Sequence, residues 1–211
     1  MSRCVILSAC PVQPELKRLL RGDDFIIACD AGYRNCERLG CKPDIIVGDF
    51  DSAPCPQQDK DDIVVLPHVK DDTDTEYAAK LAAQKGFDEV LLLGALGGKR
   101  VEHTLANLCT GLGLEQRGIR AALQDERSRI TFVLPGESRH YPKEEFFYFS
   151  AFPMEGRAEG VYEKGSFYEL EDAVLTAGYP LGVSNEYAEG SDCITVSTRQ
   201  GALVVVETIA D

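Results

Sequence analysis

The sequence predicts an α/β fold in two parts: an N-terminal, mostly parallel sheet with helices on both faces, followed by a C-terminal antiparallel β-sandwich domain. Three observations predict it. Over residues 1–125, short and almost uninterrupted apolar runs alternate with segments of helical period, the pattern of strands buried on both faces between crossover helices. From residue 128 to 211 the runs are separated by Gly and charged turns, and no helical period emerges. Between the two textures lies a charged stretch, Gln124–Ser128, which sets the boundary between a domain of residues 1–125 and one of residues 128–211.

In chain order, Val5–Ala9, Phe25–Cys29, Ile45–Val47, Ile63–Leu66, Val90–Leu93 and Ala121–Leu123 read as strands, because each is a short apolar run bounded by turn residues. Glu15–Leu20, Tyr33–Leu39, Thr73–Lys85 and Val101–Leu114 read as the helices between them. Thr73 with Glu76 fits a capping box at the start of the third. In the fourth, Arg100, His103 and Asn107 are expected on one face, with Leu105, Leu108 and Leu112 on the opposite, buried side. In the second part Ile130–Leu134, Phe146–Phe152, Phe167–Leu170, Ala173–Ala177, Cys193–Ser197 and Ala202–Glu207 read as strands. Turns such as Glu163-Lys164-Gly165 and Arg199-Gln200-Gly201 separate them.

The 211 residues are 44% hydrophobic and 27% charged, an ordinary globular balance. No apolar run reaches the ~18 residues of a membrane span. The start, Met1–Ser8, reads as a first strand rather than a signal peptide, so the expected compartment is the cytoplasm. A net charge of −13 argues against nucleic acid as a partner. The eight cysteines form no CxxC pair and no zinc spacing, and are expected to be reduced structural thiols.

Three acidic clusters follow predicted strands: Asp30-Ala31-Gly32; Asp44 through Gly48-Asp49-Phe50-Asp51-Ser52; and Lys70-Asp71-Asp72-Thr73-Asp74. In a parallel sheet the carboxyl ends of the strands share one edge, where ligands bind. Carboxylates gathered there repel, and a divalent cation is the usual remedy; magnesium takes one or two carboxylates and completes its shell with water and phosphate. If Gly48–Asp51 is extended, Asp49 and Asp51 point the same way. Taken singly, each cluster also reads as a turn or a helix start. A fourth feature, Gly94-Ala95-Leu96-Gly97-Gly98-Lys99-Arg100, runs from a strand through a glycine-rich turn into a helix. Free N–H groups there favour phosphate, and Arg100 offers a planar fork. It is not a Walker loop, since GxxxxGK[ST] is absent.

These pieces together resemble the thiamine pyrophosphokinase family: the Asp30-Ala31-Gly32 stretch, Pro43–Ser52 with its GDFDS, Lys70–Asp74, and Arg100-Val101-Glu102-His103-Thr104-Leu105-Ala106-Asn107. Gly178-Tyr179-Pro180-Leu181 and Val183-Ser184-Asn185-Glu186 follow late in the chain. The resemblance implies a catalytic α/β domain followed by a β-sandwich, ATP and thiamine as substrates, magnesium as cofactor, and a homodimer with composite sites. It implies Asp49, Asp51 and Asp71 as magnesium ligands. Asp30, Thr73, Asp74, Arg100, His103 and Asn107 fall on the nucleotide side, and Ser184 and Asn185 match thiamine contacts. Glu102 stands where relatives usually carry Asp. The loop before Ser184 is shorter than theirs, and without Trp any ring stacking falls to Tyr179 or Tyr187.

The implied reaction is in-line attack of thiamine's hydroxyl on the β-phosphorus of ATP, releasing AMP, with Arg100 on phosphate oxygens and Asp71 or Asp30 as candidate proton acceptor. The alternatives are a pyrophosphokinase acting on another ring alcohol, such as a hydroxymethylpterin, and a non-catalytic thiamine diphosphate sensor. A haloacid-dehalogenase-type phosphatase ranks lower, since its Asp-x-Asp motif follows the first strand and this one follows the third.

Overall fold

The computed structural model describes residues 2–50, 63–67 and 71–210. The fold class is the predicted one. The chain divides into two compact units, Met1–Glu126 and Arg127–Asp211.

In the first unit six strands pair in parallel: β1 (Arg3–Leu7), β2 (Phe25–Cys29), β3 (Ile45–Gly48), β4 (Ile63–Val65), β5 (Glu89–Leu93) and β6 (Arg120–Gln124). Their spatial order is β6-β5-β1-β2-β3-β4. The order reverses between β1 and β5, the place where open α/β sheets bind ligands. Val5, Ile6, Leu7, Ile27, Ala28, Ile46, Val47, Leu92 and Leu93 are all fully buried, so alternate residues meet a covering layer on both faces. On one face Val5, Leu7, Ala28 and Ile46 pack with Leu16, Cys36 and Leu39. Of these, Cys36 and Leu39 lie on α1 (Tyr33–Leu39) and Leu16 on a 3-10 turn (Pro14–Leu19). That turn stands where a helix over Glu15–Leu20 was expected. Helix α2 (Asp74–Gln84) packs on β1, β2 and β3 through buried Ala78, Ala79 and Ala82, and against α3 (Val101–Gln116).

The α3 face differs from expectation. Its buried stripe is Asn107, Thr110, Gly111, Leu114 and Glu115, at i, i+3, i+4, i+7 and i+8. Leu105 is exposed and Asn107 is buried, so the helix is rotated away from an orientation that would bury the leucines at 105, 108 and 112.

The second unit is a sandwich of two antiparallel sheets. One holds β12 (Asn185–Glu186), β9 (Tyr148–Pro153), β14 (Leu203–Thr208) and β7 (Ser128–Val133), in that order. The other holds β11 (Leu170–Thr176), β10 (Arg157–Lys164), β13 (Cys193–Ser197) and β8 (Ser138–Pro142). Val133, Phe149, Ala151, Leu203 and Val205 of the first sheet meet Tyr141, Ala158, Val161, Leu175, Ile194 and Val196 of the second in one core. Strands β8, β10 and β12 escaped the sequence pattern. Of Phe167–Leu170, expected as a strand, only Leu170 is in one, at the start of β11; Phe167 and Tyr168 are exposed in the turn before it. No described helix is long and apolar enough to cross a membrane.

Candidate active site

The carboxyl ends of β2 and β3 each run directly into an aspartate. Because these strands are neighbours in register, with Cys29 opposite Val47, Asp30 and Asp49 emerge side by side. Asp74 opens α2, which packs on the same strands. Carboxylate oxygens of Asp30, Asp49 and Asp74 all lie within 4.8 Å of one another, and each residue is half-buried. Among the described residues this is the one group of at least three potential metal ligands. Three hard oxygen donors at this spacing suit a magnesium ion that keeps water and phosphate in its remaining positions.

The backbone is bent to make this group. Asp30 (φ 52°) and Phe50 (φ 55°) are two of only four described non-glycine residues in the left-handed region. For a bulky residue such as Phe50 that conformation is strained, and strain of this kind gathers at functional sites. The chain therefore turns at Phe50, directly after Asp49, rather than continuing extended as assumed from sequence. Gly32 is held so close to β1 that a Cβ would lie 1.9 Å from the Leu7 carbonyl oxygen, and a Cβ on Gly48 would lie 3.2 Å from Asp30 Oδ1.

Each sequence-predicted residue has a definite place. Asp51 lies outside the described residues. Asp71 is exposed and does not join the carboxylate group, whose third member is Asp74 instead. The reason is the helix start: Thr73 is the N-cap, its hydroxyl accepting from the Glu76 amide at 3.1 Å, and Asp71 precedes that cap by two residues while Asp74 opens the first turn. Thr73 thus has a local structural job. Asp72, from the same cluster, is held by the Lys80 ammonium at 2.6 and 2.7 Å.

The glycine-rich turn after β5 uses left-handed Gly94, Gly97 and Gly98. A Cβ on Gly94 would sit 2.7 Å from the Ser8 carbonyl oxygen, and one on Gly98 would sit 2.5 Å from Cys10 Sγ, so glycine lets this turn lie against the segment following β1. Asn35, buried on α1, ties that segment down by donating to the carbonyls of Ser8 and Cys10 at 2.7 and 2.8 Å. Among the described residues no side chain caps α3, so its first amides lack a side-chain partner. Arg100 stands there exposed, its guanidinium donating to Glu102 at 2.7 Å and drawing that carboxyl below the ordinary glutamate range. His103 is exposed one turn on. Asn107 lies four residues on from His103, on the same side of the helix, but unlike it is buried, and it donates to the Ala95 carbonyl at 2.7 Å, bracing the glycine turn.

In the second unit, Ser184 is exposed and left-handed at φ 56°, its amide donating to Ser150 Oγ at 3.0 Å. Asn185 is buried and its amide group is fully engaged. Its Oδ1 accepts from the Tyr168 and Glu186 amides, and its Nδ2 donates to Glu163 and to the Tyr168 carbonyl. Every hydrogen-bonding position is filled within the chain, so the direct ligand contact expected of Asn185 is corrected to a supporting one.

Sequence reasoning missed Asn35, Ser8 and Glu163. Ser8 meets Thr75 of α2 through a hydroxyl pair at 3.0 Å. The grouping of Asp30 with Asp49 had one available signal, that both follow strand ends directly, but only strand order makes them neighbours.

Two family models match the chain: "Thiamin pyrophosphokinase, catalytic domain" over residues 16–123, and "Thiamin pyrophosphokinase, vitamin B1 binding domain" over residues 140–203. The chain is 27% identical over 187 residues, 86% of either chain, to the thiamine pyrophosphokinase of Bacillus subtilis. Its fold superposes on the solved structure of the Bacillus subtilis thiamine pyrophosphokinase with a TM-score of 0.87 at 24% identity, covering 100% of both chains. It superposes on that of the Geobacillus thermodenitrificans thiamin pyrophosphokinase with a TM-score of 0.85 at 26% identity, covering 100% of this chain and 98% of the other.

Proposed function

The chain belongs to the thiamin pyrophosphokinase family, and from that premise we propose a division of labour for its residues. It is an ATP-dependent diphosphotransferase, making thiamine diphosphate from thiamine. Thiamine's hydroxyl oxygen attacks the β-phosphorus of ATP, the bond from that phosphorus to the α–β bridging oxygen breaks, and AMP leaves. Asp30, Asp49 and Asp74 are the proposed magnesium cradle, with Asp51 beside them in sequence. The donor set fits, being three carboxylates of hard oxygens within 4.8 Å. Bound there, the ion would neutralise charge on the transferring diphosphoryl group.

The chain's own groups do the rest. The glycine turn and the uncapped start of α3 present N–H groups to phosphate. Arg100 swings from Glu102 to phosphate oxygens, an inexpensive move because the side chains of both are mostly exposed. His103 borders the same approach. A carboxylate of the acidic edge takes the hydroxyl proton. Ser184 and the residues around it form the acceptor side, with Asn185 holding them from beneath. Exposed Phe167, Tyr168, Tyr179, Leu181 and Val183 give the second unit an apolar surface suited to an aromatic ring and to a second copy of the chain. We read the enzyme as a homodimer in which this segment of one chain completes the site of the other. We place it in the cytoplasm, a reading supported by the free thiols of Cys4, Cys10, Cys29, Cys36, Cys41, Cys109 and Cys193.

The observation that carries the site assignment is the convergence of Asp30 and Asp49, at adjacent strand ends, with Asp74 at the start of α2. The test is AMP release from ATP with thiamine and, in parallel, with a hydroxymethylpterin. Thiamine is the expected acceptor, EDTA stops the reaction and added magnesium restores it. Turnover unaffected by EDTA would remove the cradle; turnover with the pterin alone would reassign the acceptor.

A further inference from the structure

Beneath the 183–187 segment the sandwich buries an acid that the catalytic reading does not use. Glu163 on β10 is 0% exposed. Its Oε1 accepts from Asn185 Nδ2 at 2.5 Å, and its Oε2 has no hydrogen-bond partner among the described residues. A carboxyl half-satisfied in an apolar core is costly in its charged form, and burial pushes this one up to about 7, against Ser166 and Asn185 donors that pull it down.

From Glu163 a chain of contacts reaches the surface. Asn185, held by Glu163, accepts the amides of Tyr168 at 2.9 Å and Glu186 at 3.0 Å and donates to the Tyr168 carbonyl at 2.8 Å. That ties the exposed 167–168 turn to β12. Ser184, the residue before Asn185, is left-handed, and its amide donates to Ser150 Oγ at 3.0 Å. The groups around the carboxyl are neutral. Leu170 of β11 and Val196 of β13 lie opposite it in register, and Ser166 and Asn185 approach from the turn and from β12. Tyr187, bridged to Ser166, donates its phenol to the carbonyls of Tyr141 and Pro142; pushed up to about 12, it stays uncharged near neutrality. Lys164 and Glu169 pair with each other at the exposed turn. No charged side chain among the described residues shifts the Glu163 carboxyl.

We propose that Glu163 is a positioning residue for the acceptor segment: as a neutral acid it locks Asn185 and so holds Ser184 and the 167–168 turn in place for thiamine, and its ionisation loosens that lock. The proposal rests on the reading of residues 184–187 as the acceptor side. Neutral Glu163 accepts from Asn185 through its carbonyl oxygen and leaves only a hydroxyl facing the core. Ionised Glu163 leaves an anionic oxygen there with no hydrogen bond among the described residues, since the nearby Ser166 hydroxyl is given to the Tyr168 carbonyl at 3.3 Å, and this is relieved when the segment opens to water. Thiamine recognition therefore weakens as pH rises through neutrality, while the nucleotide side is unaffected.

The test compares wild type, Glu163→Gln, Glu163→Ala and Ser184→Ala between pH 6 and pH 8.5, measuring KM for thiamine, KM for ATP and kcat, and following exchange of the Tyr168 and Glu186 amides by NMR, corrected for intrinsic rates. In wild type, thiamine KM and both exchange rates rise with pH. In Glu163→Gln, a neutral mimic, both stay at their low-pH values throughout, which also separates positioning from a fold defect. In Glu163→Ala, thiamine KM is raised about fivefold or more at every pH with ATP KM and kcat unchanged. A Glu163→Gln profile that tracks wild type, or amide exchange indifferent to Glu163, overturns the proposal. Exchange that responds while thiamine KM ignores both Glu163 and Ser184 substitutions overturns the acceptor reading and the proposal with it. A thiamine KM that responds to Ser184→Ala but not to Glu163→Ala overturns the lock alone.

Discussion

Asp49 is the residue on which the most chemistry depends, because among the described residues it belongs both to the GDFDS motif and to the carboxylate group of the structure. Asp49→Asn keeps the shape and removes the charge. Turnover should fall by at least ~100-fold with the melting temperature unchanged, and near-normal activity in the folded variant would dismiss the metal assignment. Arg100 should behave differently. It is exposed and, among the described residues, paired with Glu102 alone, so Arg100→Ala should leave stability within about 0.5 kcal/mol and raise the KM for ATP, lower kcat, or both. An unchanged ATP profile would make it an ordinary surface residue. For Glu163 the pH dependence of stability has a definite sign. The folded carboxyl titrates at about 7, above its unfolded value, so the folded state holds the extra proton. That contribution is complete below the unfolded pKa and is lost as pH rises through about 7. Urea denaturation of wild type and Glu163→Gln from pH 4 to pH 8.5 should show the variant gaining on wild type with rising pH, by up to ~3 kcal/mol. A pH-independent difference would mean that the carboxyl is not buried in solution.

At the scale of elements, the site depends on how tightly the strand ends approach one another. Gly32→Ala places a methyl against the Leu7 carbonyl, a contact that neither backbone can relieve. The 3-10 turn Asp30–Gly32 and the end of β1 must then separate, and Asp30 moves with its turn. We expect a loss of roughly 2–4 kcal/mol by denaturant titration, with magnesium-dependent turnover falling further than stability alone explains. Retained stability and activity would show that the turn adjusts freely. Strand β10 illustrates why the second unit was harder to read than the first. Its sequence, RAEGVYEK, carries four charges and a glycine. It alternates only imperfectly because Gly160 (φ 64°) sits where the pairing with β11 shifts register between Glu159 and Val161. One of those charges, Glu163, points into the core. A pattern search that places charges outside cannot find such a strand. Helix α3 misled in the opposite way. Its leucines suggested one buried stripe, whereas Asn107 and Thr110 occupy it because their polar groups have partners, the Ala95 carbonyl and the Glu76 carboxylate.

For the whole molecule the proposed assembly makes the sharpest prediction. If one chain's acceptor segment completes another chain's site, Asp49→Asn and Ser184→Ala/Asn185→Ala chains, each inactive alone, should recover activity when mixed under conditions of subunit exchange. Random mixing forms about half heterodimers, each with one intact site, so recovery approaches about a quarter of wild type. Sedimentation should show a dimer at assay concentration. A monomer, or no rescue despite demonstrated exchange, would confine each site to a single chain.

The sequence by itself determined the class of fold, nearly every strand and helix of the first unit, and the family. These features are local. An apolar run buried on both faces, a capping Thr three residues before Glu, and the GDFDS and glycine-turn segments are each written in consecutive residues. What only the tertiary structure decided is which distant residues meet. Asp30, Asp49 and Asp74 form one group because β2 and β3 are neighbours and α2 begins above them. Asp71, three residues from Asp74, stays in solvent because the N-cap at Thr73 turns the chain between them. Asn185 supports rather than contacts, because its amide is already filled by Glu163, Tyr168 and Glu186. Motifs report residue types and spacing along the chain, whereas a side chain's role depends on which partners folding brings within hydrogen-bonding reach and which hydrogen bonds they leave unmade.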